Sequence, residues 1–337
     1  MALLFIDSFD HYDDGESKWR NIAIDSGGRH GSGGLVGAFS IAGRTLPGEF
    51  NELLLGMAYK TQSFANDPIA FYNERVSLNN DLEVLHIGDG RLQIIGRRSP
   101  VEVSSGSVST QAMVLNQWYY LELHGVSGSN TVVYELRVNE EPWCVGTLTY
   151  TNTLAVLSTN DTGWADVSIT GPGGGNLAVF DDLYIKSDGT FLGDVEILCL
   201  RPNGTTTLSE WTPFPGTATN YTCVDDTVPN GDTDYVTATA TALTDLYEME
   251  DVGAFTGTIF GVQGVQDVKK VDAGEGRTQQ VWVDGLTGTL TYTSSEFYPS
   301  AVDYLMDVKV LETSPFSTAT WSASEVDAIR FGIKRTV

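Results

Sequence analysis

The chain has 337 residues and carries 44 Asp and Glu against 19 Lys and Arg, a formal charge of −25 at pH 7. Such a surface repels a phosphate backbone and an anionic bilayer, so nucleic acid and membrane are excluded as partners. Hydrophobic residues at 41% and aromatics at 10% exclude disorder over the chain as a whole, and the length allows two domains with a core each.

The opening, MALLFIDSFDHYDD, holds a short apolar run without a basic flank or a cleavage site, so secretion is not expected. No later stretch approaches the length of a membrane span. Short alternating or apolar runs lie at 52–61 (ELLLGMAYKT), 82–86, 91–95, 118–124 (WYYLELH), 132–138 (VVYELRV) and 177–186 (LAVFDDLYIK). These predict strands, separated by turns rich in Gly, Asn and Asp. Asp89-Gly90, between two of the runs, predicts a hairpin, 138–143 (VNEEPW) predicts a second reversal, and 171–176 (GPGGGN) a flexible loop.

The run 195–200 reads as another strand, and 201–207 (RPNGTTT) as a polar loop after it. The β pattern then restarts, with strands expected at 257–265 and 279–283. One helix is expected, over 322–330 (SASEVDAIR), with Ser322 as its cap and Glu325 completing a capping box. The three cysteines, Cys144, Cys199 and Cys223, lie far apart with no ligand spacing, and are expected as ordinary thiols of a protein made in a reducing cytoplasm. Many short strands at even spacing predict an all-β chain of sandwich or jelly-roll type. The expected division is a sandwich over 1–194, a linking segment over 195–215 and a smaller β-rich domain over 216–337.

Several segments carry a resemblance. Asp7-Ser8-Phe9-Asp10-His11-Tyr12 with Lys18-Trp19, the Gly-rich 26–35 (SGGRHGSGGL), 116–122 (NQWYYLE) and 180–193 (FDDLYIKSDGTFLG) resemble the concanavalin A-like (laminin-G-like) sandwich domains of bacteriophage structural proteins. The segments 193–202, 209–213, 231–236 and 321–334 look like a linked second module of such proteins. The resemblance implies an N-terminal concanavalin A-like jelly-roll sandwich followed by a second, smaller β-sandwich-like domain. It implies architecture before function, because one fold serves many functions.

Sandwiches of this class include glycosidases, and retaining hydrolysis needs two carboxyl groups about 5 Å apart. Glu248 and Glu250 have the i, i+2 spacing that shares a strand face, but the E-x-D-x-E pattern of the glucanases is missing. Asp181 and Asp182 are adjacent, so on a regular strand they point to opposite faces, and one of them is expected to hold a loop through backbone hydrogen bonds. The four histidines, His11, His30, His86 and His124, accompany no nucleophile elbow and no second histidine at metal spacing, and read as structural. The segment 225–234 (DDTVPNGDTD) offers Asp225, Asp226, Asp232 and Asp234 as oxygen ligands for Ca²⁺, although the same residues favour turns without a metal.

Trp143, Trp164 and Trp211 stand among chain breakers and read as exposed. Trp143 and Trp164 are the candidate carbohydrate-binding residues. Trp118 and Trp282 read as core, and Trp19 and Trp321 as packing residues.

The expected function is therefore that of a non-enzymatic virion structural protein exposed on a phage particle, as a tail-fibre (adsorption) or capsid-decoration element. Its partners are other virion proteins and further copies of itself, a trimer being favoured, with a host surface glycan as an additional ligand and Ca²⁺ as the one cofactor with candidate donors. Coiled-coil heptads and collagen repeats are missing, which favours a compact element over a fibre shaft. The alternative is a glycan-degrading depolymerase or glycosidase of the lectin/glucanase-like fold.

Overall fold

The computed structural model describes residues 3–11, 18–19, 24–25, 27–30, 34–37, 41–64, 68–73, 80–98, 103–128, 130–150, 163–171, 178–271, 274–288 and 291–337. The expected loop at 171–176 lies outside them except for Gly171. The chain is all-β and divides into two compact units, Met1–Ile197 and Leu198–Val337.

The strands of the first unit are β1 (Leu3–Asp7), β2 (Ile24–Asp25), β3 (Gly34–Gly37), β4 (Ile41–Phe50), β5 (Glu52–Thr61), β6 (Pro68–Asn73) and β7 (Asn80–His86). They continue as β8 (Leu92–Arg98), β9 (Val103–Val108), β10 (Tyr119–Ser127), β11 (Thr131–Val138), β12 (Glu141–Thr149), β13 (Trp164–Thr170) and β14 (Ala178–Lys186). An eight-stranded sheet runs β12-β11-β10-β5-β14-β3-β2, with β1 also paired to β14, and a six-stranded sheet runs β4-β13-β6-β7-β8-β9.

The two sheets pack face to face. Tyr72 of β6 donates its hydroxyl to the Leu123 carbonyl of β10, and the Tyr134 hydroxyl of β11 accepts the Ser107 N–H of β9 at 2.7 Å. The apolar run of β5 is explained by its central place: Leu53, Leu54, Leu55, Met57, Ala58 and Tyr59 are all buried, so both faces of the strand are covered. Both predicted reversals are present. Gly90 takes φ +85° between β7 and β8, and Asn139 and Glu140, at φ +49° and +69°, form a two-residue turn of the primed kind between β11 and β12.

The second unit holds β15 (Pro202–Ser209), β16 (Thr212–Phe214), β17 (Tyr235–Thr237), β18 (Thr244–Met249) and β19 (Val262–Val268). After them come β20 (Thr278–Asp284), β21 (Thr291–Thr293), β22 (Leu305–Leu311), the helix α1 (Ala323–Ala328) and β23 (Ile329–Arg335). A five-stranded sheet, β15-β18-β23-β20-β21, is crossed by the ribbon β19-β22. The crossing is close: a Cβ on Gly264 of the ribbon would run into the Trp282 ring, and Gln280 donates to the carbonyls of Gly264 and Asp307 at 3.2 and 2.9 Å. Trp282, Trp321, Val326 and Ile329 form the core between them.

Two expectations are corrected here. Residues 195–200 form no strand, and the strand starts instead at Pro202, inside the segment read as a loop. Thr205-Thr206-Thr207 has the β-branched character that a sheet edge accepts, and Thr206 donates to the Leu246 carbonyl of β18 at 3.1 Å. Similarly, the strand expected from 257 begins only at Val262.

The helix forms as expected. Ser322 accepts the Glu325 N–H at 3.2 Å, and Glu325 accepts the Ser322 N–H at 3.0 Å. Ser322→Ala is accordingly expected to cost about 1 kcal/mol, read as a lowered urea midpoint of the full chain.

Candidate functional site

The tryptophans proposed for sugar binding are not brought together. Trp164, on β13 of the six-stranded sheet, is fully buried, with its ring 5.0 Å from that of Tyr72. This corrects the reading of Trp164 as exposed: strand burial outweighed the breakers around it, and the ring has no free face. Trp143, on β12 of the eight-stranded sheet, is half-buried and edge-on to Tyr119 at 6.4 Å. Trp118 is half-buried rather than core, with the Lys60 ammonium 4.5 Å from its ring centroid. Trp211 is held by its indole N–H on the Leu243 carbonyl at 3.2 Å.

The aspartates of 225–234 do not form a cage. Asn230 donates to both Asp226 and Asp234 at 2.7 Å, and Asp232 is engaged by Tyr304 at 2.8 Å and Lys269 at 3.2 Å. Among the described residues no three His, Cys, Asp or Glu groups converge as a metal site. Of the i, i+2 pair Glu248 and Glu250, Glu250 accepts the Arg201 N–H at 3.0 Å.

Asp181 and Asp182 depart from strand alternation. The register shifts between Asp181 and Tyr184, and Asp182 takes φ +48°. Both carboxylates are buried and serve backbone donors: Asp181 accepts from Arg29 at 2.6 Å and Asp182 at 2.8 Å, and Asp182 accepts from Ile197 at 2.8 Å. Burial pushes Asp181 up to about 7 and Asp182 up to about 6, against the pull of those N–H groups and, for Asp182, of His30 and Arg29. Arg29 reaches on to clasp Asp194 at 2.5 and 2.6 Å. This knot fastens residues 194–197 to the sandwich.

A second knot lies on the same side. Glu122 of β10, buried, accepts the Tyr184 hydroxyl and the N–H groups of Leu192 and Gly193 at 3.1 and 2.9 Å, all on one oxygen. Gly56 of β5 pairs with Glu122 and makes room for this, since a Cβ there would overlap the Tyr184 ring. Glu122→Gln keeps an acceptor of the same shape but removes its charge. It is expected to cost about 1–2 kcal/mol in urea unfolding at pH 7, the difference between charged and neutral acceptors.

The segment so fastened leaves the outer face of β10, β11 and β12 open beside it. Strand register arranges the side chains there: His124 pairs with Glu135, Glu122 with Arg137, and Glu135 with Val145. His124 Nε2 is 3.0 Å from Glu52 Oε1, and Arg137 Nε donates to Glu135 at 2.7 Å. Phe191 completes the patch, edge-on to His124 at 5.9 Å with the Arg137 guanidinium 3.8 Å from its ring centroid. A Cβ on Gly189 would fall 2.8 Å from Glu52 Oε1 and 2.9 Å from His124 Nε2, so the bare backbone of residue 189 lies directly against this pair.

The patch joins two carboxylates, an imidazole and a guanidinium on the sheet with an aromatic ring from the segment that follows β14. Such groups hydrogen-bond to polyols and pack on their apolar faces. Sequence reading took His124 as structural and did not join these residues. The signal was present in Glu122-Leu-His124 and Glu135-Leu-Arg137, whose polar residues at i, i+2 share a face, but the register that unites them is not written in either strand.

No family model matches the chain, and no curated protein matches it. Solved structures do show weak likeness. The cellulose-induced protein Cip1 is 13% identical, covering 56% of this chain and 93% of its own, with a TM-score of 0.37. The carbohydrate-binding module CBM66 from Bacillus subtilis is 8% identical, covering 52% and 99%, with a TM-score of 0.34. A conserved carbohydrate esterase of the Shiga toxin-encoding bacteriophage phi24B is 13% identical, covering 55% and 100%, with a TM-score of 0.35. At these values no functional statement about the chain rests on the likeness.

Proposed function

We propose that the chain is a bacteriophage virion protein, exposed on the particle, that assembles with copies of itself and other virion proteins and binds a host surface glycan. The observation that carries the glycan reading is the open patch of Glu52, His124, Glu135, Arg137 and Phe191 on the outer face of the first unit. The sequence resemblance to phage structural proteins supports the particle. Assembly is supported by the second unit, whose core is small while Val271, Leu286, Tyr298 and Val302 each stand more than half exposed. Apolar side chains in that number suit contacts with other chains. The role proposed is binding instead of catalysis, and it is supported by Glu250 accepting the Arg201 N–H and Glu122 accepting three donors of its own unit.

The test is co-sedimentation of the purified protein with host cells and with undecorated phage heads. Binding to cells that extracted surface polysaccharide competes away, and that Arg137→Ala weakens at least tenfold, supports the reading. Binding to heads alone moves the protein to decoration, and a single sedimenting monomer at micromolar concentration removes the self-assembly.

A further inference from the structure

We infer that the patch on β10 and β11 takes an uncharged glycan and rejects acidic ones; this rests on the glycan reading of that patch. Its cations are already engaged. Among the described residues, two lie in or beside it. Arg137 donates to Glu135 at 2.7 Å and is laid over Phe191, and Lys186 is 3.1 Å from both Asp188 and the Thr190 carbonyl with its side chain only 7% exposed. Each of these cations is thus paired with a carboxylate of the chain itself.

The carboxylates are less fully engaged. Glu52 has a side chain 42% exposed, and its Oε1 lies 3.0 Å from His124 Nε2, with no Lys or Arg paired to it among the described residues. Glu52, Glu135 and Asp188 outnumber Arg137 and Lys186 by one, inside a chain of net charge −25. Sugar hydroxyls donate hydrogen bonds, which is what Glu52 and the outer lone pairs of Glu135 accept. An anionic sugar would instead bring like charge to about 4 Å of Glu52, which in partly screened surroundings weakens binding on the order of tenfold or more.

The experiment separates surface polysaccharide from a host strain on an anion exchanger and measures binding of the full chain to the neutral and acidic fractions by calorimetry at low and moderate salt. Expected is binding to the neutral fraction, insensitive to salt, with the acidic fraction at least tenfold weaker. Glu52→Lys, shown folded by circular dichroism, is expected to gain about tenfold for the acidic fraction at low salt and to lose the gain at high salt. Equal or tighter binding of the acidic fraction by the native chain would overturn the inference and leave the glycan reading standing. Binding to neither fraction would overturn the glycan reading itself.

Discussion

Trp164→Ala should remove about 3–5 kcal/mol of stability, enough to unfold much of the first unit at 37 °C. The ring is fully buried on β13, next to Tyr72 on β6 of its own sheet. From the facing sheet Gly125 of β10 approaches so closely that a Cβ there would lie 2.8 Å from the indole. The indole thus fills the gap that Gly125 opens between the two layers, and alanine would leave a cavity that neither backbone can close. Urea unfolding followed by far-ultraviolet circular dichroism reads the loss directly. Trp143→Ala, at a half-buried edge position, should cost far less. Equal and small losses at both positions would mean that Trp164 is outside the core, and would return it to the sugar-binding candidates.

Trp164 also shows where sequence reading stops. Its neighbours, Asp161-Thr162-Gly163 before and Asp166 after, are turn-like and acidic, and they pointed to a loop. The strand forms because β13 is enclosed on both sides, pairing with β4 and β6, and pairing across more than ninety residues leaves no local mark. Where the signal is local, reading succeeded. The Asp89-Gly90 hairpin, the Ser322–Glu325 capping box and the unbroken apolar run of β5 are each set within a few residues, and each is found as expected. The pair Asp181-Asp182 lies between these cases. A structural role through backbone donors was legible from its composition, but the bulge that lets both carboxylates take that role depends on Arg29 and Ile197, one far earlier in the chain and one beyond the strand. The patch on β10 and β11 was the least legible, because its members are ordinary strand residues until register sets them side by side.

Between pH 7 and pH 4 the native chain should lose about 3 kcal/mol relative to His86→Phe, because of one buried imidazole. His86 ends β7 with its ring between Tyr59 and Phe64, centroids 5.5 and 5.1 Å away, and among the described residues neither ring nitrogen has a hydrogen-bond partner. Burial pushes its pKa down to about 4. The folded state therefore refuses a proton that the unfolded state accepts below about 6.5, so the contribution is whole above that pH and is lost as pH falls to about 4. His11, pushed down to about 3 by burial and by Lys18, adds a slope of the same sign.

Asp181 and Asp182 work the other way. Raised to about 7 and about 6, they favour the protonated folded state, so their contribution is fullest below the ordinary carboxylate range and is lost as pH rises through 7. The native chain balances the two slopes over the window from about 4 to about 6.5. Phenylalanine removes the histidine slope, keeps the aromatic contacts and sacrifices no hydrogen bond, so the variant should match the native chain at pH 7 and gain on it steadily towards pH 4. Urea midpoints at pH 7, 5.5 and 4 measure the gap. A gap that stays constant over the three would mean that the ring at position 86 is not buried in its neutral form, and the balance would have to come from His11 and the aspartates alone.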